Sequence, residues 1–194
     1  MSESRIYTKL GDDGSTGLLF GGRISKADPL IKTVGSIDET VAALGLARAN
    51  SADATLCEII LRVQRDLFVV GADLVANPHA RDRLVPGVSL VTADMTTYVE
   101  GLIDRLVAQR PLRPVFIVPG ANVASAALDL ARSVVRRAEH NLVACASHVE
   151  IGQLLNPQAR NYLNRVSDLL YVLARHAAGD HEEPLSHEVP GRSE

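Results

Sequence analysis

A chain of 194 residues, 46% hydrophobic and without tryptophan, fits one globular domain with a substantial core. No apolar run approaches the roughly 18 to 20 residues of a membrane span, and the polar start MSESRIYTK lacks the apolar stretch of a secretory signal, so a cytoplasmic protein without membrane contact is expected. The net charge of −3 offers no general nucleic-acid surface, and residues 179–194 hold five acidic side chains against one arginine, leaving the rest of the chain close to neutral.

The first segment with chemistry of its own is TKLGDDGSTG, Thr8 to Gly17, which sets three glycines, hydroxyls and a lysine in a stretch almost free of apolar side chains. Two readings stand. Glycines let backbone N–H groups approach phosphate oxygens, with hydrogen bonds from Thr8, Ser15 and Thr16 and charge from Lys9, as in a loop around a polyphosphate. The same residue types also build ordinary turns. No Gly-Lys-Ser/Thr ending follows, which excludes a Walker-type ATPase.

Helical periodicity begins at Pro29, with Asp28 as N-cap and Val34, Ile37, Val41, Leu44 and Leu46 as apolar positions, and runs to about Asn50. A second helix, about Ala52 to Ala76, repeats Leu56, Ile59, Ile60, Val63, Leu67, Val70 and Leu74 before stopping at Asn77-Pro78. Thr92 caps a third, which carries Met95, Val99, Leu102, Ile103, Leu106 and Val107 and ends before Pro111. Pro114 to Pro119, PVFIVP, is a short apolar run that could be extended but has no obvious pairing partner. A fourth helix spans about Gly120 to His148, and the last follows Asn156-Pro157 to about Ala178 with Leu163, Val166, Leu170 and Leu173 inside. Cys57 and Cys145 are far apart in apolar-periodic segments and read as reduced core residues. The expected fold is all-α, an up-and-down bundle of four or five helices over residues 1–178. Residues 179–194 have too little apolar surface to offset the entropy of ordering and are expected to form a disordered acidic tail, with His181 and His187 as solvated bystanders.

Two helices carry charge that a bundle core does not require. Arg132, Arg136 and Glu139 recur at four and three residues and share one narrow face, with Arg137 pointing elsewhere and Leu130, Val134, Ala138 and Leu142 expected to face the core. On the last helix Asn161, Asn164, Arg165 and Asp168 fall within about 100° of arc. A solvated face is the ordinary reading of such stripes. Arginine without lysine, accompanied by asparagine, is unusual for one, and the planar guanidinium suits phosphates and carboxylates held in a set geometry.

In this order and spacing, IYTKLGDDGSTG, LFGGRISKADP, GSIDE, LFVVGADL, FIVPG, ARSVVRRAE and YLNRVSD make the chain resemble the PduO-type ATP:cob(I)alamin adenosyltransferases from about Ile6 to Arg175. The resemblance implies a ferritin-like five-helix bundle that assembles as a homotrimer with active sites at subunit interfaces. It implies transfer of the 5′-deoxyadenosyl group of ATP to the cobalt of cob(I)alamin, giving adenosylcobalamin and triphosphate. By motif, Thr8, Lys9, Gly11, Asp12, Gly14, Ser15 and Thr16 would wrap the triphosphate with Lys26, and Arg136 would contact it from the fourth helix. Glu139 and Asn164 would place ATP and its Mg²⁺, with K⁺ as a further cation of the site. Arg132 and Asp38 look like the family's intersubunit ion pair, and Asp168 falls with the corrinoid site.

Phe116 has two readings, as an ordinary core aromatic or, by the resemblance, as the side chain that packs under the corrin and displaces its lower axial base, easing reduction to Co(I). A reductase supplying the cob(I) state and an adenosylcobalamin-dependent client enzyme are the further partners implied. The chain departs from the family in having Pro119-Gly120-Ala121 where PGG is common and Leu30 where a basic residue often follows Asp-Pro. The alternatives are a non-catalytic carrier or sensor of ATP or adenosylcobalamin, and a structural bundle that merely assembles through its stripes. Arg132, Arg136, Asn164 and Asp168 together argue for the transferase, because a binding module would not need each charge around the leaving group.

Overall fold

The computed structural model describes residues 6–146 and 155–185. Five long helices dominate it: α1 (Pro29–Ala49), α2 (Ala54–Leu74), α3 (Ala93–Gln109), α4 (Val123–Ala146) and α5 (Pro157–Ala178). Their starts follow capping chemistry. Asp28 accepts from the Leu30 amide, Asp53 from Thr55 and Leu56, and Asn156 from Gln158, while Pro29 and Pro157 occupy first-turn positions where a missing N–H costs nothing. At the end of α5, Gly179 takes a left-handed φ of 59° that a side chain would resist. No helix among the described residues is long and apolar enough to cross a membrane.

The helical bundle expected from the sequence is present. α5 is its central member, packing on α4, α3 and α2, while α1 lies against α4 and α2. Leu163, Leu169, Leu170 and Leu173 of α5 are fully buried and meet Leu128, Ile60, Leu67 and Leu44 in one continuous core. The buried Tyr162 directs its hydroxyl onto Asp66 Oδ2 at 3.0 Å, and Arg62 holds the other oxygen at 2.9 Å. Burial is the main reason the Tyr162 phenol is pushed well above its ordinary pKa, with the Asp66 charge adding to it. Both cysteines are free; Cys145 is buried and Cys57 only partly so.

Several expectations change. Leu130 is 53% exposed rather than core, because each four-residue step along α4 drifts about 40° and three steps back from Leu142 rotate the side chain off the buried face. Leu46 is likewise exposed, 200° around α1 from the buried Leu44. The PVFIVP segment does have a partner: strand β3 (Ile117–Val118) pairs antiparallel with β4 (Glu183–Pro184), and the Leu185 amide donates to the Phe116 carbonyl at 2.8 Å. Residues 179–185, read as the start of a disordered tail, therefore carry a 3-10 turn (Gly179–His181) and a strand; 186–194, with His187, lie outside the described residues. Arg110 reaches the Gly179 carbonyl and Asp180, and Arg113 the Glu182 carbonyl, so two arginines outside the tail anchor the turn.

The glycine-rich segment forms a second small sheet. Strands β1 (Ser15–Gly17) and β2 (Arg23–Ser25) pair antiparallel, with Ser15 opposite Ser25. Leu19 exchanges backbone hydrogen bonds with Val75 and Asn77 at 2.9 Å each, which hangs this hairpin on the C-terminal end of α2.

Candidate active site

On the face formed by α3, α4 and α5 lies a cleft of about 650 Å³. Arg132 and Arg136 reach it from α4, Arg165, Asp168 and Tyr171 from α5, and Glu100 and Asp104 from α3. Part of each stripe read from the sequence, Arg132 with Arg136 and Arg165 with Asp168, thus lines this cavity. Their charges are not equivalent. Arg165 donates to Glu100 at 3.0 Å and to Asp168 at 2.7 Å, and the Glu100 hydrogen bond is the main reason its pKa is raised. Arg132 reaches Asp129 at 3.4 Å. Arg136 has neither an ion pair nor a hydrogen bond among the described residues, so it is the cleft arginine whose charge is not already matched.

A second, polar hollow of about 460 Å³ adjoins the first and shares Glu100 and Arg165 with it. Glu139 and Asn164 line it, and the Asn164 amide donates to Glu139 at 2.9 Å across the α4–α5 seam. Thr96 contributes a buried hydroxyl without a hydrogen-bond partner. Arg160 and Asn161 complete the wall toward the start of α5.

The glycine-rich loop is exposed and internally braced. Lys26 does not project freely: its ammonium donates to the Gly11 carbonyl at 2.7 Å, and a Cβ on Gly11 would sit 2.9 Å from that nitrogen. Gly14 has φ +81°, closed to ordinary side chains at low cost, and Lys9 adopts φ 60° despite having one. Ser15 gives both its amide and its hydroxyl to Asp13, which is the main reason the Asp13 carboxyl is held below its usual pKa. Arg23 ties the two limbs together through the Leu10 carbonyl, Ser15 Oγ and Asp13. Thr8, Lys9 and Asp12 are left exposed at the surface of the loop, and Thr16 lies half-buried in β1.

Two of the residues singled out from the sequence lie elsewhere. Asp38 is exposed on α1 and borders a depression with the 65%-exposed Phe68, away from the Arg132 cleft. Phe116 is 83% exposed just before β3, which removes the core reading. The glycine-rich hairpin sits near the start of α5, where Leu18 and Leu155 line the same small cavity, whereas Phe116 sits near its end, beside β4. The 22 residues of α5 separate them by about 33 Å at 1.5 Å per residue.

Reasoning from the sequence passed over Glu100 and Asp104, although Thr96, Glu100 and Asp104 recur every four residues on one side of α3. It also passed over Arg23 and Asp13 as the braces of the loop, for which nothing short of the hairpin register is a signal.

A family model for cobalamin adenosyltransferase matches residues 6–177. The chain belongs to this family. It is 37% identical over 171 residues to a corrinoid adenosyltransferase of Citrobacter freundii, covering 88% of this chain and 93% of that protein. A corrinoid adenosyltransferase of Bacillus subtilis is 34% identical, with 88% and 85% covered. Two variant structures of the PduO-type ATP:corrinoid adenosyltransferase from Lactobacillus reuteri, each complexed with cobalamin and ATP, superpose on it. One has a TM-score of 0.81 at 26% identity, covering 95% of this chain and 97% of the other; the second has 0.78 at 28%, covering 90% and 93%.

Proposed function

We infer that this chain transfers the 5′-deoxyadenosyl group of ATP to the cobalt of a reduced corrinoid, releasing triphosphate. In that reaction the C5′–O bond of ATP breaks as a Co–C bond forms; the electron pair comes from the Co(I) substrate, and the leaving triphosphate keeps the pair of the broken bond. The nucleophile is already strong, so the protein's work is to align C5′ and to stabilise negative charge on the departing oxygens. The unmatched Arg136 in a cleft of otherwise paired arginines is the observation that carries this reading. An uncommitted guanidinium on a rigid helix can bind developing phosphate charge without first breaking an internal ion pair. Arg132, already steered by Asp129, supports it, and Asp168 holds Arg165 in position at the corrinoid side of the cleft.

Thr8, Lys9, Gly11, Asp12, Gly14, Ser15 and Thr16 serve as the triphosphate wrap, with Lys26 bracing the loop through Gly11. Among the described residues no three His, Cys, Asp or Glu side chains gather into an all-protein metal cage. Mg²⁺ fits better as a companion of the nucleotide, met by Glu139 with Asn164 orienting it, and would supply charge neutralisation to the phosphates. No residue is assigned to K⁺. Phe116, almost wholly solvent-exposed, is available to pack beneath a corrin in place of the axial base.

The separation of about 33 Å along α5 between the loop and Phe116 is too long for one nucleotide and one corrin to touch both within a chain. It favours a homotrimeric arrangement in which the loop of one copy meets the cleft and Phe116 of the next, with Asp38 paired to Arg132 across the seam. A separate reduction step must supply the Co(I) substrate. The test is anaerobic incubation with ATP, Mg²⁺ and chemically reduced cob(I)alamin, following the corrinoid spectrum and the phosphate released. Light-sensitive adenosylcobalamin with stoichiometric triphosphate is expected; ATP binding without alkylation would make the chain a carrier or sensor, and no binding would leave a structural bundle.

A further inference from the structure

The Asp73 carboxylate is fully buried, yet it contacts neither the cleft nor the hollow. Its two oxygens are used by three separate segments. Arg81, in the 3-10 turn Pro78–Arg83 after α2, donates to Oδ1 at 2.5 Å and also to the Asp73 carbonyl at 3.0 Å. The Val91 amide, just ahead of α3, donates to Oδ2 at 2.9 Å. The Asn156 side chain donates to the same oxygen at 2.7 Å while its own oxygen caps α5. Two residues beyond Asp73, Val75 and then Asn77 carry the backbone bonds that suspend the glycine-rich hairpin, and the Asn77 amide group adds a bond to the Gly21 carbonyl at 2.9 Å. Arg83, at the end of the same turn, stacks on Phe20 of the hairpin at 4.3 Å.

We propose that Asp73, with Arg81, is a positioning residue that holds the phosphate loop in register with the start of α5 on its own bundle, and so presents it in one orientation to the nucleotide-facing side chains of the neighbouring copy. Rigid apolar packing does not do this. Between hairpin and bundle lies a cavity of about 130 Å³, lined by Leu18, Ile24, Leu74 and Leu155, so among the described residues the hairpin's apolar underside does not close on the core. A buried ion pair contributes little net stability compared with apolar side chains of the same shape, but a fully satisfied one fixes geometry, because each displaced donor leaves an unpaired charge. One carboxylate thereby joins the end of α2, the turn that stacks on the hairpin, the entry to α3 and the cap of α5.

The proposal rests on the reading of the loop as the triphosphate site, and its test is direct ATP binding, which does not require turnover. Calorimetric titration of the full chain with Mg-ATP would compare wild type with Asp73→Asn, which keeps the shape but removes the charge, and with Arg81→Ala, which alters a partly exposed partner and spares the core. A parallel titration would use cob(II)alamin. About a tenfold rise in the Kd for ATP is expected in both variants, with the corrinoid Kd changed less than about twofold and partial recovery in Arg81→Lys. Unchanged ATP affinity in Arg81→Ala would overturn the proposal, as would equal weakening of both ligands together with a lowered Tm, which marks a purely structural role. Should Asp73→Asn fail to fold, Arg81→Ala and Arg81→Lys decide. A wild-type chain that binds ATP but forms no adenosylcobalamin would count against the transferase reading and leave this one standing.

Discussion

The glycine-rich hairpin and the α4/α5 cleft are built on opposite principles. In the cleft, side chains project from long helices whose other faces are buried, so Arg132, Arg136, Glu139, Asn164 and Asp168 are placed by the core itself. In the hairpin, almost nothing is buried, and shape comes from a few polar contacts: Lys26 on Gly11, Arg23 on Leu10 and Ser15, and Leu19 on the end of α2. A site that must stabilise charge at one point benefits from the rigid half, because donors that are already oriented pay no reorganisation when the leaving group departs. A site that must admit and release a flexible polyphosphate benefits from the adaptable half.

If this contrast holds, damage to the cleft lowers the rate and damage to the hairpin lowers ATP affinity. The largest effect is expected from Arg136→Ala: kcat should fall by about 10²–10³ with the assembly intact, the range seen when one preorganised charge-stabilising donor is removed. Single-turnover formation of adenosylcobalamin together with size-exclusion chromatography reads both, and a loss below tenfold would remove the unmatched arginine from the mechanism. Next comes Phe116→Ala. Activity starting from cob(II)alamin should suffer more than activity starting from pre-reduced cob(I)alamin, while an exposed site predicts a stability change within about 0.5 kcal/mol. Equal losses from the two oxidation states would demote Phe116 to packing.

Smaller effects belong to the hairpin. Gly14→Ala forces a side chain into φ +81°, a strain of about 1–2 kcal/mol, and should weaken ATP binding roughly tenfold with kcat at saturating ATP little changed. A fall in kcat at saturation would show that the loop, too, acts on the transition state. Lys26→Ala removes an exposed hydrogen bond to Gly11 and should raise the KM for ATP only about threefold, since contacts in solvent contribute little. A much larger rise would mean that Lys26 leaves Gly11 and grips the phosphates itself.

What was legible in the chain was legible for local reasons. The helices α1, α2, α3, α4 and α5 announce themselves through apolar residues at three- and four-residue spacing and through Asp28 and Asn156-Pro157 at the starts of α1 and α5, all features contained within a few turns. The arginine and asparagine stripes followed from the same geometry and line two adjoining cavities, Arg132 and Arg136 the cleft, Asn161 and Asn164 the polar hollow beside it. Misjudged residues mark where the local rule weakens. Leu130 keeps the four-residue spacing yet rotates out of the core as the 40° lag accumulates, and Leu46, two residues from the buried Leu44, faces outward. The β3–β4 pairing joins residues more than 60 positions apart, for which no adjacent residue gives a sign.

The sequence by itself determined the family, the helix boundaries to within a few residues, and which faces carry charge, because each of these depends on residue types at short fixed separations. Only the tertiary structure decided that Arg132 and Arg165 already have partners while Arg136 has none among the described residues, that Glu100 and Asp104 of α3 close the cleft, and that the glycine-rich loop and Phe116 stand at opposite ends of α5. Those outcomes depend on contacts between segments distant in the chain, whose free energies are settled by the packing of the whole bundle rather than by any stretch of it.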